Sequence, residues 1–320
     1  METYLKKLSI INEMFPKLKG KAVLSPMAGV TDVAFRALAK KYGAALTYTE
    51  FVSSAALVRN STNTLKMLKT DPSETPVAVQ LFGNNSNEIV QSAKMLQDKF
   101  DIIDVNCGCP AWKVIKTGAG SALLNNPRQI HSFISKLVES VDIPVTLKIR
   151  AGIDGNTINA VEVAKIAEEG GASAIGIHGR TQKQGYSGEA DWNIIKQVKD
   201  TVKIPVIGNG DVFTPETFKE KINMSGVDYI MIARGAMGNP YVFQQVNDFL
   251  ATGKYSEKNK IELFKEYLKL AEKYDIRFPV IKNHAVQFTK GLKGSSHLRG
   301  DLNKCNTSEQ ILDLLYHMSV

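Results

Sequence analysis

Cysteine is scarce in this sequence. Only Cys107, Cys109 and Cys305 occur among 320 residues, and the first two are separated by a single glycine. Residues at i and i+2 of a strand point the same way without the geometry for an easy disulfide. So sparse and odd a set argues against a disulfide scaffold. It favours a reducing compartment, and we therefore expect the protein in the cytoplasm.

Long apolar runs are missing as well. No stretch of about 20 consecutive apolar residues, the length that crosses a bilayer as a helix, occurs in the chain. The first 21 residues carry scattered lysines and no uninterrupted apolar segment of the signal-peptide kind. We therefore expect no membrane span and no export through a signal peptide. With 43% hydrophobic residues, the chain still has enough apolar surface for a large core.

Acidic residues are outnumbered by basic ones. The 40 Lys and Arg against 32 Asp and Glu give a formal net charge of +8. No acidic residue occurs between 278 and 300. The basic side chains of that stretch are Lys282, Lys290, Lys293 and Arg299, with His284 and His297 beside them. Clustered cations gain affinity for polyanions by releasing counterions, so the stretch is either a phosphate-contacting surface or a solvated helix face.

Short β-branched runs alternate with segments of helical period over the first 250 residues. The eight candidate strands are 22–28, 45–50, 76–82, 102–108, 144–150, 173–179, 204–210 and 228–235. The segment "DVAFRALAKKYG" between the first two has apolar residues at helical spacing before a closing glycine. Eight βα units in about 230 residues predict an α/β fold, a (β/α)8 TIM barrel. An open doubly wound sheet is the competing fold.

Residues that can take part in binding or chemistry gather near the strand ends and favour the barrel. They are Met27, Glu50, Gln80, Asn106, Cys109, Lys148, His178, Asn209 and Arg234. Barrels build their active sites at the carboxyl ends of their strands. The glycine-rich G-x-G-x-x-G loop that a Rossmann sheet places after its first strand is absent.

The alternation of strand and helix patterns ends near residue 251. The segment "IELFKEYLKLAEKY" and those that follow have helical period and no strand pattern. We predict a TIM-barrel catalytic domain at 1–250 and a small all-helical domain at 251–320.

Two glycine-containing loops, "GNGDVF" and "ARGAMGNP", follow the predicted seventh and eighth strands. Glycines let backbone N–H groups approach an anion, and barrels commonly bind phosphate at this corner. The pair predicts a phosphate-bearing ligand. Lys148 and His178 belong to neighbouring strands of the same rim, and each either faces the barrel mouth or points away from it.

The pair Cys107 and Cys109 has three interpretations: metal ligation, structural packing or catalysis. Two thiols make half of a zinc site and Cys305 is remote in the sequence, so we expect no metal. Cys109 precedes Pro110, which favours an extended conformation that presents its thiol. Cys107, two residues back toward the strand, is predicted to be the packed one.

Motifs along the chain resemble those of tRNA-dihydrouridine synthases. In order, they are "LSPMAGVTDVAFR", "VAVQLFG", "VNCGCP", "GAGSALL", "LKIRAG", "IHGRT", "YSGEADW", "VIGNGDV" and "ARGAMGNP". The resemblance covers about residues 21 to 243, and "KNHAVQFTKGLKGSSHLR" is similar to a diverged form of the C-terminal helical motif of that family.

The resemblance implies an FMN-binding barrel, a helical bundle that helps to hold tRNA, and reduction of selected uridines to 5,6-dihydrouridine by NADPH or NADH. FMN would be held by Pro26, Met27, Ala28, Gln80, Lys148, His178, Asn209, Gly210, Asp211, Ala233 and Arg234. Cys109 would be the catalytic acid, and Asn106 and Arg180 would contact the uridine. Lys282, His284, Lys290 and Arg299 would contact the tRNA, and we expect a monomer.

The sequence departs from the family pattern at Cys107, where a bulky apolar residue is more common, and in the C-terminal motif. The chosen uridine is therefore not given. Two other functions stay open: another FMN barrel oxidoreductase such as a dihydroorotate dehydrogenase, and an RNA-binding protein on an inactive barrel.

Overall fold

The computed structural model describes residues 15–292 and 294–316. Within them, nine strands form one parallel sheet. The strands are β1 Ala22–Leu24, β2 Thr47–Tyr48, β3 Val52–Ser53, β4 Val77–Phe82, β5 Ile102–Cys107, β6 Val145–Arg150, β7 Ala174–His178, β8 Val206–Asn209 and β9 Tyr229–Ile232. Their hydrogen-bonded order is β1-β9-β8-β7-β6-β5-β4-β2, and β3 pairs with the end of β4.

The sheet curls into a barrel. The backbone N–H of Leu24 donates to Leu46 O at 2.9 Å, and that of Ala45 donates to Ala22 O at 2.8 Å, which joins the two ends of the sheet. The predicted α/β class and (β/α)8 barrel are therefore confirmed. The second predicted strand, 45–50, is shorter in the structure, where it is β2.

Helices cover the outside of the barrel and form the C-terminal region. Those in the described residues are α1 Val33–Lys41, α2 Ser54–Val58, α3 Thr62–Lys66, α4 Ser86–Leu96, α5 Trp112–Ile115, α6 Pro127–Ser140, α7 Ala160–Glu169, α8 Trp192–Thr201, α9 Pro215–Ser225, α10 Val242–Thr252, α11 Lys260–Lys273, α12 Phe278–Thr289, α13 Ser295–Lys304 and α14 Ser308–Tyr316. Short 3₁₀ helices lie at Pro72–Glu74 and Gly120–Asn125. None of these helices is both long and apolar enough to cross a bilayer.

The strand sequences explain the burial of the sheet. Every residue of β5 and β7 is buried, as expected where helices cover a parallel sheet and side chains fill its interior. The covering helices begin at polar caps. The Asp32 side chain accepts from the backbone N–H of Phe35 at the start of α1, and Asp191 caps the start of α8 in the same way.

The C-terminal helices pack directly on the barrel. Phe35 of α1 and Tyr267 of α11 have ring centroids 6.5 Å apart, and Phe288 of α12 lies in the same buried cluster. The predicted boundary after residue 250 falls within α10, because that helix closes the last βα unit. The division into two domains stays a prediction.

Candidate active site

A cavity of about 590 Å³ opens at the carboxyl ends of the strands. All eleven residues predicted to hold a cofactor line it: Pro26, Met27, Ala28, Gln80, Lys148, His178, Asn209, Gly210, Asp211, Ala233 and Arg234. Asn106 and Cys109 line it too. The parallel arrangement brings them together, because every strand ends at the same rim.

Lys148 of β6 lines the cavity and reaches past β7 to Asn209 of β8. Its Nζ donates to Asn209 Oδ1 at 3.2 Å, and the Asn209 amide donates in turn to Met231 O at 2.9 Å. The intervening strand carries Gly176 at this level, where an added Cβ would lie 3.4 Å from Lys148 Cγ. Burial, with a smaller effect of Arg150, lowers the pKa of Lys148 to about 8. The ammonium is therefore still mainly charged at pH 7.

His178 is uncharged at pH 7, although several cations lie close to it. Burial, followed by the positive charges of Lys148, Arg150 and Arg180, lowers its pKa to about 2. Its Nε2 lies 3.4 Å from Arg180 Nη1. A neutral imidazole has one donor and one acceptor nitrogen; Arg180 can only donate, so Nε2 is the acceptor and Nδ1 carries the proton.

Cys109 sits on a loop that Asn106 holds. The Asn106 side-chain oxygen accepts from the backbone N–H of Gly108 at 3.1 Å and from that of Cys109 at 2.9 Å. Ser121 N–H and Oγ–H donate to Cys109 O from the other side. The Cys109 side chain is partly buried, and burial raises the pKa of its thiol, which is therefore neutral at pH 7.

Cys107 is 1% exposed, and it belongs to the apolar core. Burial raises its pKa strongly, so this thiol is neutral and inert. The prediction that Cys107 is the packed member of the pair is confirmed.

Gly210 and Asp211 shape the corner after β8. Gly210 has φ +135°, and a Cβ there would lie only 2.4 Å from the Cβ of Ala190. The Asp211 carboxylate accepts from Arg180 Nη1 at 2.8 Å, Arg234 Nη2 at 2.7 Å and Ala190 N at 2.8 Å. Partial burial opposes ionisation of Asp211, but these hydrogen bonds and charges outweigh it and lower its pKa.

Arg180 has a different place from the one expected of a uridine contact. It is 2% exposed and does not line the cavity. Its Nε donates to Ser187 O at 3.1 Å and its Nη2 to Gly188 O at 2.5 Å, while Asp211 takes the remaining side. The structure thus corrects this expectation: Arg180 links the loop at Ser187 and Gly188 to Asp211 and is buried beneath the rim of the cavity.

Arg150 and three aromatic side chains were missed by the sequence reasoning. Arg150 lines the cavity and donates from Nε to Gly108 O at 2.9 Å. It lies two residues after Lys148 on β6, so the strand period was a usable signal for it. Phe213 and Tyr186 line the cavity near Arg234, and Trp112, three residues after Cys109, is 74% exposed.

The predicted tRNA contacts of the C-terminal region fall into three groups. Lys290 and Arg299 are exposed, and Lys282 donates to Asn303 O at 3.0 Å. His284 is 1% exposed, stacks on Phe35 and pairs with Asp32 at 2.9 Å, so it has no surface for a phosphate. The expected phosphate role of His284 is therefore corrected to an internal contact between helix and barrel. Lys293 lies outside the described residues.

Residues 15–292 and 294–316 contain no group of three or more His, Cys, Asp or Glu side chains placed to hold a metal ion.

Comparisons with known proteins agree with the motifs. Residues 23–319 match the family model described as dihydrouridine synthase (Dus). A probable tRNA-dihydrouridine synthase of Rickettsia conorii is 40% identical over 91% of this chain and 90% of its own length. The tRNA-dihydrouridine synthase B of Pseudomonas aeruginosa is 35% identical over 91% and 90%, and that of Shewanella oneidensis 41% over 74% of each chain.

A solved structure supports the fold alone. Histamine dehydrogenase from Rhizobium sp. 4-9 superposes with a TM-score of 0.58 at 14% identity, over 82% of this chain and 51% of that one. Family model, relatives and motifs agree over nearly the whole length. The chain belongs to the dihydrouridine synthase family.

Proposed function

We propose that this protein reduces uridines of tRNA to 5,6-dihydrouridine, using FMN that is re-reduced by NADPH or NADH, with Cys109 as the proton donor. The observation that carries the proposal is the cavity itself. A neutral thiol, a buried lysine and a neutral histidine open into one barrel mouth in a chain of this family.

The residues present fit FMN. A volume of about 590 Å³ is in the range of cofactor pockets. Gly210 presents bare backbone to the cavity, since its φ of +135° and the close approach of Ala190 leave no room for a side chain, and among the described residues the hydrogen-bond partner of Lys148 is the neutral Asn209. A buried cation of this kind calls for an anionic ligand. The eleven residues that line the cavity and were predicted for FMN would hold it.

The chemistry assigns separate roles to the side chains. Bound reduced FMN would supply a hydride to C6 of the uracil, whose C5=C6 bond is conjugated to the C4 carbonyl. Cys109 then gives the proton of its S–H to C5 and takes one back from solvent. Lys148 places positive charge beside the ring system, and His178 donates a hydrogen bond to the same region. Each group is in the protonation state that its role requires at pH 7.

The first prediction concerns the cofactor. We expect the purified protein to be yellow and to release one FMN per chain on denaturation. The cavity has room for one FMN, and the proposal leaves the Cys109 thiol free as a proton donor, so the flavin is bound without a covalent link. Absorbance spectra and flavin chromatography measure this. A protein that stays colourless after incubation with FMN would contradict the cofactor assignment and favour an inactive barrel.

The substrate test separates the proposed function from that of another FMN barrel oxidoreductase. Reduced enzyme is mixed with unmodified tRNA or with a small pyrimidine acceptor such as orotate, and flavin absorbance is followed. Oxidation by tRNA alone supports the proposal. Oxidation by a small pyrimidine alone would replace it.

The target base must leave the folded tRNA to reach the cavity. Exposed Trp112 and Tyr186 near the mouth offer faces on which bases stack. Lys290 and Arg299 are exposed cations of the acid-free stretch, so they are suited to contact phosphates. We infer that the C-terminal helices supply affinity and the barrel supplies chemistry.

The second prediction tests these cations. The double variant Lys290→Glu with Arg299→Glu should weaken tRNA binding and reduce the log–log salt slope by about 1 for each phosphate that is no longer bound. Flavin reduction by NADPH should persist. The matched control is Lys165→Glu with Lys203→Glu, which changes the charge equally at exposed lysines elsewhere on the barrel. Equal losses in the two variants would show a general charge effect and no local site.

A further inference from the structure

A chain of buried hydrogen bonds runs behind the Cys109 loop. Asp104 on β5 accepts from Gln80 Nε2 at 2.7 Å, and Gln80 Oε1 accepts from Asn106 Nδ2 at 2.8 Å. The Asn106 oxygen then accepts from the N–H groups of Gly108 and Cys109. Asp104 is 1% exposed and does not line the cavity. It has no part in the chemistry described above.

The direction of each bond in this chain is fixed at both ends. The N–H groups of Gly108 and Cys109 can only donate, so Asn106 must turn its oxygen to them and its amide nitrogen to Gln80. Gln80 must then accept from Asn106 and donate at its other atom. A carboxylate only accepts, so Asp104 is the residue that holds Gln80 in this orientation. A primary amide could otherwise present either atom.

The second oxygen of Asp104 is held as well. Thr146 on the adjacent strand donates from Oγ1 to Asp104 Oδ1 at 2.6 Å. Burial raises the pKa of Asp104 to about 6, so the group is still mainly a carboxylate at pH 7. Two donors inside the barrel thus fix this carboxylate.

We propose that Asp104 is a positioning residue: through the amides of Gln80 and Asn106 it orients the backbone of Gly108 and Cys109 and so sets the Cys109 thiol at the cavity. As a statement about catalysis, this inference rests on the proposed function. As a statement about the loop, it does not. The experiment below therefore measures both the accessibility of the Cys109 thiol and the rate of uridine reduction.

The test compares Asp104→Leu with Asp104→Asn, two replacements of nearly equal size. The introduced asparagine can keep its oxygen toward Gln80 while its NH₂ donates to the Thr146 hydroxyl, so it should preserve the chain. Leucine offers no acceptor and should release the amides. In the full-length protein without tRNA, iodoacetamide should then alkylate Cys109 several times faster in Asp104→Leu than in wild type, as peptide mapping would show. Asp104→Asn should resemble wild type.

A double-mutant cycle provides a second readout. Thr146→Val alone leaves the carboxylate as acceptor, and Asp104→Asn alone is rescued by Thr146, so each should cost only a few-fold in uridine reduction. Together they leave the NH₂ of the introduced asparagine unpaired or turn the amides, and the combined loss should exceed the product of the single losses by about tenfold. Rates that simply multiply in the cycle would overturn the positioning role.

Folding is monitored by thermal unfolding. If Asp104→Leu does not fold, the cycle decides alone, since both of its single variants keep the hydrogen bond between residue 104 and Gln80. A folded Asp104→Leu with wild-type alkylation of Cys109 would overturn the proposal. If the wild-type protein forms no dihydrouridine, the alkylation result still stands, and then the proposed function fails while the loop assignment does not.

Discussion

Cys109→Ala should slow uridine reduction by about 10²- to 10⁴-fold, the usual contribution of a general acid, which corresponds to about 3 to 5 kcal/mol of transition-state stabilisation. The thiol is neutral at pH 7 because burial raises its pKa, and its loop is fixed by Asn106 and Ser121. Reduction of the bound flavin by NADPH needs no proton from this side chain and should proceed at the wild-type rate. Single-turnover oxidation of pre-reduced enzyme by unmodified tRNA measures the difference.

Cys107→Ala is the matched control. This thiol is two residues away, 1% exposed and packed in the core, so its loss removes a small apolar group. A modest decrease in stability is expected, with uridine reduction within a few-fold of wild type. The assignment of the acid is wrong if Cys107→Ala is the slow variant or if neither variant is slow.

The pH profile follows from the same pKa. Because burial raises the Cys109 pKa above its ordinary value, the proton-donating form persists through neutral pH and is lost only as pH rises through the raised value. Proton transfer from Cys109 should therefore be flat across neutral pH and fall on the alkaline side. A fall that begins near pH 7 would indicate a different donor.

The barrel could be predicted because each strand signals itself locally. Runs such as "PVTLKIR" and "SAIGIHG" are apolar, β-branched and close to the observed β6 and β7. The polar residues at their ends could be predicted for the same reason. Parallel strands that finish at one rim bring Lys148, His178 and Asn209 together without any further information.

Long-range pairing explains what the sequence did not show. His284 looked like part of a basic surface, but Asp32 and Phe35, about 250 positions earlier, bury it. The family resemblance placed Arg180 at the substrate, but its partner Asp211, 31 positions away on the next loop, binds it inside the protein. Cross-strand register opposes Gln80 to Asp104 and Asp104 to Thr146, and no local pattern reports it.

Lys148→Met should weaken FMN binding by about 10- to 100-fold, the range expected when a charge-assisted hydrogen bond of about 1.5 to 3 kcal/mol is lost. Methionine keeps much of the apolar stem and removes the ammonium. Lys148 of the flavin-free protein has a pKa of about 8, so its charge is present at neutral pH and is lost as pH rises through 8. FMN affinity of the wild type should therefore fall above pH 8, and that of Lys148→Met should show no such step.

The free energy of unfolding of the flavin-free protein should rise over the pH range in which FMN affinity falls. Burial lowers the pKa of Lys148 below its ordinary value of 10.5, so the unfolded chain binds the proton more tightly than the folded chain. Wild-type stability should gain from this residue as pH rises from 8 toward 10.5, and at pH 7 Lys148→Met should unfold at the same or a higher temperature. Exposed Lys165→Met is the control for both measurements. If Lys148→Met binds FMN as wild type does, the lysine does not face the cofactor. A buried cation kept for ligand binding should destabilise the empty protein and stabilise its complex with FMN. If Lys148→Met instead unfolds at a lower temperature than wild type, Lys148 has a structural role in the barrel.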